Sequence, residues 1–228
     1  MWYVYFRRIA LTVFGTFIAC VLALALVLWN VLPSNAGAEL VTKELPFLIP
    51  GTDLIAEYFV SYEGDYFEDG SGEFVIDNAA LCVYNRGDCY IDFASVYMET
   101  TDGTYCFEGT CIPPHAKVVL LEKNRRSYPR GDVCMADGKT VRSNKASVMD
   151  MLQIEAIDLD KVKLTNRSET SLKNVRLYYK RYDSQWGIYV GGVTYAAPAG
   201  NLQPGESIII NPVFYVNGYS KVLFVTAN

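Results

Sequence analysis

One histidine, His115, stands in 228 residues. A Ser-His-Asp or Cys-His arrangement therefore has a single candidate base, placed in the turn Pro113-Pro114-His115, and no nucleophile motif stands ready to meet it. Phosphate chemistry is missing as well. The glycines fall in turns, with no Gly-Lys-Ser/Thr element and no strand, Gly-rich loop and helix in succession to aim backbone N–H groups at a phosphate. Charge is absent altogether from Ile9 to Val31, 23 consecutive residues. Beyond that run positive charge is scarce: without Arg7 and Arg8 the 20 basic residues fall to 18, against 25 acidic ones. Nucleic acid and anionic lipid headgroups are poor partners for that balance, because their affinity comes from cationic neutralisation of phosphates.

The uncharged run is the first thing present. At about 1.5 Å per residue a helix of that length reaches roughly 35 Å, enough for a bilayer core of about 30 Å. Residues 1–32 therefore read as a short cytoplasmic N-terminus and a transmembrane helix, followed by a linker over 33–51 that carries Pro33, Pro46 and Pro50-Gly51. Arg7 and Arg8 precede the run and Glu39 is the first acidic residue of the chain, so the N-terminus is expected in the cytoplasm and the remainder outside it. Trp2, Tyr3, Tyr5, Phe6 and Trp29 suit the two headgroup layers. Ala36-Gly37-Ala38 has the small-x-small form of a signal-peptidase site, but the apolar cores of signal peptides run to only about 7–15 residues. A retained, single-pass anchor is the expectation; cleavage after Ala38 is the competing reading. Phe17-Ile18-Ala19-Cys20 does not serve as a lipoprotein box, since Val21 to Leu28 continue the span.

The rest of the chain reads as strands. Ala79 to Tyr84, Tyr90 to Glu99, Thr104 to Glu108 and Lys117 to Glu122 are short runs rich in Val, Ile, Tyr, Phe and Leu, parted by turn residues. The order repeats: Asn85-Arg86 and Asn166-Arg167 each follow a strand, 81 residues apart, and Pro114 and Pro204 each open a later turn, 90 apart. The fold class expected is mainly β, with two related β-sandwich-like (Ig-like) units at 52–126 and 149–228 joined by a connecting segment, 127–148. One larger sandwich built from both halves is the alternative. An acidic run, Glu57 to Glu73, and a later basic cluster from Lys123 to Lys145 either face each other or form two solvated loops.

Five cysteines lie past the span. Cys82 with Cys89, and Cys106 with Cys111, have spacings that suit hairpin disulfides, which leaves Cys134 over. Cys106, Cys111 and His115, with Cys89 or Cys134, make a permissive zinc set; outside a cell disulfides are the better expectation. The carboxylates around Asp69-Gly70-Ser71-Gly72 lack the spacing of an EF-hand and read as an acidic turn. Arg-Gly-Asp occurs twice, at Arg86-Gly87-Asp88 and Arg130-Gly131-Asp132. A Cys82–Cys89 bridge would hold the first copy in a tight loop and give a surface adhesin; an ordinary turn needs no ligand. The 17 tyrosines fit either a stacking face or rings buried with the hydroxyl at the rim.

Leu177-Tyr178-Tyr179-Lys180, Tyr189-Val190-Gly191-Gly192-Val193-Thr194-Tyr195, Leu202-Gln203-Pro204-Gly205-Glu206 and Ser220 to Val225, with Leu121-Glu122-Lys123-Asn124 earlier, resemble uncharacterised membrane-anchored surface proteins of anaerobic Gram-positive bacteria with FxLYD-like β-sandwich units. Val175 and Tyr179 stand where that motif has Phe and Asp. The resemblance implies topology and setting, with no catalytic residue carried over. The expectation is a non-enzymatic structural or interaction component of the cell envelope, without cofactor, metal or small-molecule substrate, and partnered by the membrane and by other envelope proteins. An adhesin presenting Arg-Gly-Asp loops and a zinc-binding exported enzyme are the alternatives.

Overall fold

A computed structural model describes residues 42–143 and 146–228. The expected transmembrane helix, its flanking anchors and the linker as far as residue 41 lie outside them. Among the described residues no helix is long and apolar enough to cross a membrane.

Among the described residues seven strands come from the first half of the chain: β1 (Phe47–Leu48), β2 (Leu54–Tyr66), β3 (Glu73–Asn85), β4 (Ile91–Thr100), β5 (Gly103–Ile112), β6 (Lys117–Leu121) and β7 (Val133–Arg142). One 3-10 turn, Met149–Met151, leads to β8 (Leu152–Ala156), β9 (Val162–Asn166), β10 (Leu172–Asp183), β11 (Ile188–Leu202), β12 (Ser207–Ile210) and β13 (Ser220–Thr226). The protein is mainly β, as its Val, Ile, Tyr and Phe content dictates.

The repeat seen in the sequence is a repeat of topology. In the first half β3 pairs with β2 and β6 while β4 pairs with β5 and β7; in the second, β9 pairs with β8 and β12 while β10 pairs with β11 and β13. The halves then join: β6 and β11 pair in parallel, Val118 opposite Tyr189 and Val119 opposite Val190. One seven-stranded sheet results, in the order β1-β2-β3-β6-β11-β10-β13, with three-stranded sheets β5-β4-β7 and β12-β9-β8 beside it. Thr42–Asn228 form one compact unit.

Period-two alternation explains how this sheet serves several cores. Ala79, Leu81 and Val83 of β3 face Val96, Met98 and Phe107 from the β5-β4-β7 sheet, whereas Ala80 and Cys82 face the other way, toward Tyr66, Val119 and Leu121. A separate core, including Leu164, Leu177, Tyr179, Leu202 and Val225, lies between the β10 end of the long sheet and the β12-β9-β8 sheet. Each fully buried Leu, Ile or Val contributes on the order of 1.5–3 kcal/mol. Tyr90 of the first half ties the two together: its ring meets Phe224 at 5.4 Å and its hydroxyl donates to Leu223 O at 2.9 Å.

The segment expected as a connector, 127–148, contains β7, which pairs with β4 along its length from Val133 to Arg142. Its alternation is thin, with Val133 and Ala136 turned inward and Met135, Lys139 and Val141 outward. The charges on the outer side make an edge strand look like a basic linker.

A candidate ligand groove where the halves meet

The site begins with the β2–β3 hairpin, whose end arches back over its own sheet. Tyr66 is fully buried, and its hydroxyl donates to Glu122 O and Lys123 O, each at 3.0 Å. The Arg125 guanidinium lies 4.8 Å over the Tyr66 ring and bonds both Asp69 and Glu73. Asp69 accepts the Ser71 N–H at 2.9 Å; that bond, the Ser71 hydroxyl and Arg125 hold its carboxyl down at about 2. Of the basic cluster Arg125 meets the acidic run here, at Asp69 and Glu73, whereas Lys123 pairs with Glu108 and Arg142 with Asp53; Asp69-Gly70-Ser71 is an acidic turn closed by an arginine. Glu122, completely buried, anchors the opposite side of the arch by accepting N–H groups from Asn124 at 2.8 Å, Arg126 at 2.9 Å and Cys106 at 3.2 Å.

Beyond Tyr66 the arch reaches the second half. Glu68 Oε1 accepts the Gly192 N–H at 2.7 Å. Beside it Lys180 is completely buried, with Nζ donating to Gly192 O at 2.6 Å, Val193 O at 3.0 Å and Gly191 O at 3.3 Å. Three protons meet three carbonyls. Burial pushes the Lys180 amine down and the Glu68 carboxyl up, and the pair's attraction works against both shifts. Gly191 makes the bend that turns these carbonyls together, at φ +84°. At Gly192 a Cβ would come within 1.9 Å of Glu108 O, so only glycine lets β11 lie this close to β5.

On the solvent side of this joint, two adjoining hollows of about 270 Å³ and 220 Å³ share Arg181 and Tyr219. Asp65, Phe67, Phe214 and Val216 line the first; Tyr62, Glu63, Tyr182 and Asp183 line the second. The Arg181 guanidinium lies 5.1 Å over the Phe67 ring and donates to Asp65 O at 3.3 Å. Phe67 and Phe214 rings are 5.0 Å apart, and Tyr195 meets Phe214 at 5.6 Å. Phe214 is half exposed and sits at φ +60°, a conformation uncommon for an aromatic residue. Its loop is held there by three ties: the Tyr179 hydroxyl to Val213 O, the buried ring of Tyr215, and the Asn217 N–H to Leu159 O at 2.7 Å. Strain retained at an exposed ring is characteristic of surfaces that hold something. Rings, three carboxylates and one guanidinium suit stacking and hydrogen bonding to a ligand.

None of these groove residues stands out in the sequence as a site. The available signals are Gly191-Gly192 inside a strand and a lysine directly after Tyr178-Tyr179. The residues that do stand out lie elsewhere. Cys82 is buried mid-strand in β3 opposite Tyr58, while Cys89 is exposed in the following loop. Cys106 and Cys111 share strand β5, where five residues at about 3.3 Å each separate them by roughly 16 Å. The expected disulfides Cys82–Cys89 and Cys106–Cys111 are therefore not formed, and none of the five cysteines is disulfide-bonded. Cys106, Cys111 and His115 do not gather either; among the described residues no three His, Cys, Asp or Glu side chains are grouped to hold a metal.

The Arg86-Gly87-Asp88 loop is a turn built on Asn85. Gly87 N–H donates to Asn85 Oδ1 at 3.0 Å, Arg86 N–H to Asp53 O at 3.1 Å, and the exposed Asp88 carboxylate meets His115 Nε2 at 2.9 Å. In Arg130-Gly131-Asp132, Arg130 N–H donates to Asp102 Oδ2 at 2.9 Å and Asp132 O accepts the Thr101 N–H at 3.1 Å. Both tripeptides are thus tied into the fold through their backbones.

No protein-family model matches the chain, and no curated protein matches it.

Proposed function

We propose that the protein is a membrane-anchored, extracytoplasmic, non-enzymatic component of the cell envelope that binds a partner through the Arg181 groove. Its N-terminal helix, led by Arg7 and Arg8, holds it as a single-pass protein, N-terminus inside. The two halves are β-sandwich-like units of the FxLYD kind, fused through β6 and β11. The observation that carries the reading is the groove itself: Tyr62 and Phe67 come from one half, Arg181 and Tyr219 from the other, and Phe214 is kept at positive φ beside them. The lining grips by stacking and hydrogen bonds and needs no nucleophile.

Topology is tested with protease added to intact protoplasts. Loss of everything past Pro50 with a membrane-bound fragment left behind supports the orientation; full protection reverses it. Binding is tested by capturing envelope proteins with the intact wild-type chain and with an Arg181→Ala, Tyr219→Ala double variant of unchanged melting temperature. A partner captured by the first and lost with the second supports the groove, and an identical set from both refutes it.

A further inference from the structure

The two halves present the same strand at two edges, and only one of those edges is covered. β6 pairs with β3 on one side and receives β11 in parallel on the other. Its counterpart β12 pairs with β9 and ends its sheet. The halves correspond here at a separation of 90 residues, as Pro114 and Pro204 do, so Ile209 stands where Val119 stands. Val119 lies opposite Val190 of β11.

Asn166 N–H donates to Glu206 O at 2.9 Å, which sets the alternation along the ladder. Ile208 and Ile210 direct their main-chain groups to β9, and Ser207 and Ile209 turn theirs outward. Ile209 is 57% exposed, and the strand carries neither a charge nor a proline to guard its edge. Apolar surface continues past its end, with Val213 and Leu159 exposed.

We infer that this edge joins two copies of the chain, β12 pairing antiparallel with β12 across a two-fold axis at Ile208. A second copy cannot supply the parallel strand that β6 receives. Its β11 is committed to β6, and its β5, which holds the matching place in the first half, is fastened to β11: Thr110 Oγ1 donates to Gly192 O at 3.1 Å and Thr194 Oγ1 to Thr110 O at 2.9 Å. Two-fold symmetry sets a strand against its own copy, antiparallel, so the strand that meets β12 is the second copy's β12. With the axis at Ile208, Ser207 of one copy meets Ile209 of the other, the two residues whose main-chain groups point outward, and the two Ile208 side chains come together. The three-stranded sheet becomes six-stranded. This contact is made by β12, none of whose residues lines the Arg181 groove, and goes beyond the function proposed for it.

The test is sedimentation equilibrium of the full chain at micromolar concentration, with any bound detergent density-matched, on wild type, Ile209→Lys and Ser207→Pro. Lysine places a charge at the seam, and proline removes an N–H that β9 does not use. The expected result is dimer mass for the wild type and monomer mass for both variants, with the melting temperature of Ile209→Lys equal to that of the separated wild-type chain. A monomeric wild type, or a dimer that persists in a folded Ile209→Lys, overturns the inference.

Discussion

Asn85 and Asn166 hold the same position in two copies of one turn. Each is completely buried, and each accepts the N–H two residues on, Gly87 at 3.0 Å and Ser168 at 2.9 Å. Each donates through Nδ2 to the carbonyl four residues on, Cys89 at 3.0 Å and Thr170 at 2.8 Å, and to a strand end 27 to 36 residues on, Ile112 at 3.4 Å and Leu202 at 3.1 Å. Their backbones match too: Asn85 N–H donates to Ala116 O and Asn166 N–H to Glu206 O. One side chain thus pins a strand end, the loop after it and the strand two places further on.

Asn85→Ala and Asn166→Ala are each expected to cost roughly 2–4 kcal/mol, because each leaves two or more buried carbonyls and an N–H without their partner. Urea unfolding measures it. Wild-type midpoints in both variants would show that the turns hold without the amide.

Lys180→Met is expected to cost about 3–5 kcal/mol, since it strips three carbonyls of their donor and leaves Glu68 buried without its cation. The pH dependence has a definite sign. Burial lowers the Lys180 pKa from 10.5, so between the lowered value and 10.5 the unfolded chain alone keeps that proton and native stability rises with pH. Burial raises Glu68 from 4.5; between 4.5 and the raised value the native state alone keeps the proton, and stability falls as pH rises. The wild-type stability minus that of Lys180→Met should climb through the alkaline window, and minus that of Glu68→Gln should drop through the acid one. Flat differences would mean that neither group changes its proton on unfolding.

Gly192→Ala is expected to destabilise by about 1–3 kcal/mol or more, because the added methyl meets the Glu108 carbonyl and one of the two strands must shift. Gly205→Ala, where nothing lies within 4 Å of the new atom, carries only the strain of its positive φ, +76°. Calorimetry on the pair should rank Gly192→Ala lower in melting temperature; the reverse order would disprove the close approach of β11 to β5.

Denaturing the protein without reductant is expected to expose all five thiols from Cys82 to Cys134 to a labelling reagent, and dithiothreitol should leave the melting temperature unchanged. In the native state Cys89 should label first and Cys82 last, being buried with its thiol pushed up by desolvation. Labels missing until reduction would reveal a bridge.

Strand positions and the repeat were legible because Asn, Pro and Gly at the turns, and β-branched and aromatic residues between them, are local signals. The turn at Pro114-His115 even adopts the positive φ of Pro204-Gly205, at +51° and +76°. β7 escaped notice for a local reason, the lysine and arginine on its outer face, although the repeat called for it: β13 follows Pro204 by 16 residues, and β7 follows Pro114 by 19. The cysteine pairs failed because spacing alone does not distinguish a hairpin from one straight strand. The groove was illegible since it needs β2, β10 and the loop after β12 brought together by the β6–β11 pairing. The one mark near that long-range contact, Gly191-Gly192 inside a strand, says that another backbone comes close but not which strand it is.

The same pairing sets a schedule for synthesis. Val118 finds its partner Tyr189 only 71 residues later in the chain, which at about 5–20 residues per second is a wait of roughly 4–14 seconds. Once Arg142 is made, 24 residues into that wait, the first half has all seven of its strands, yet the edge of β6 stands open, as β12 does in the single finished chain. The second half is therefore the cover that the first half's edge awaits, and a chain stopped before β11 would leave the ribosome with a first half still ready to accept a stranger's strand.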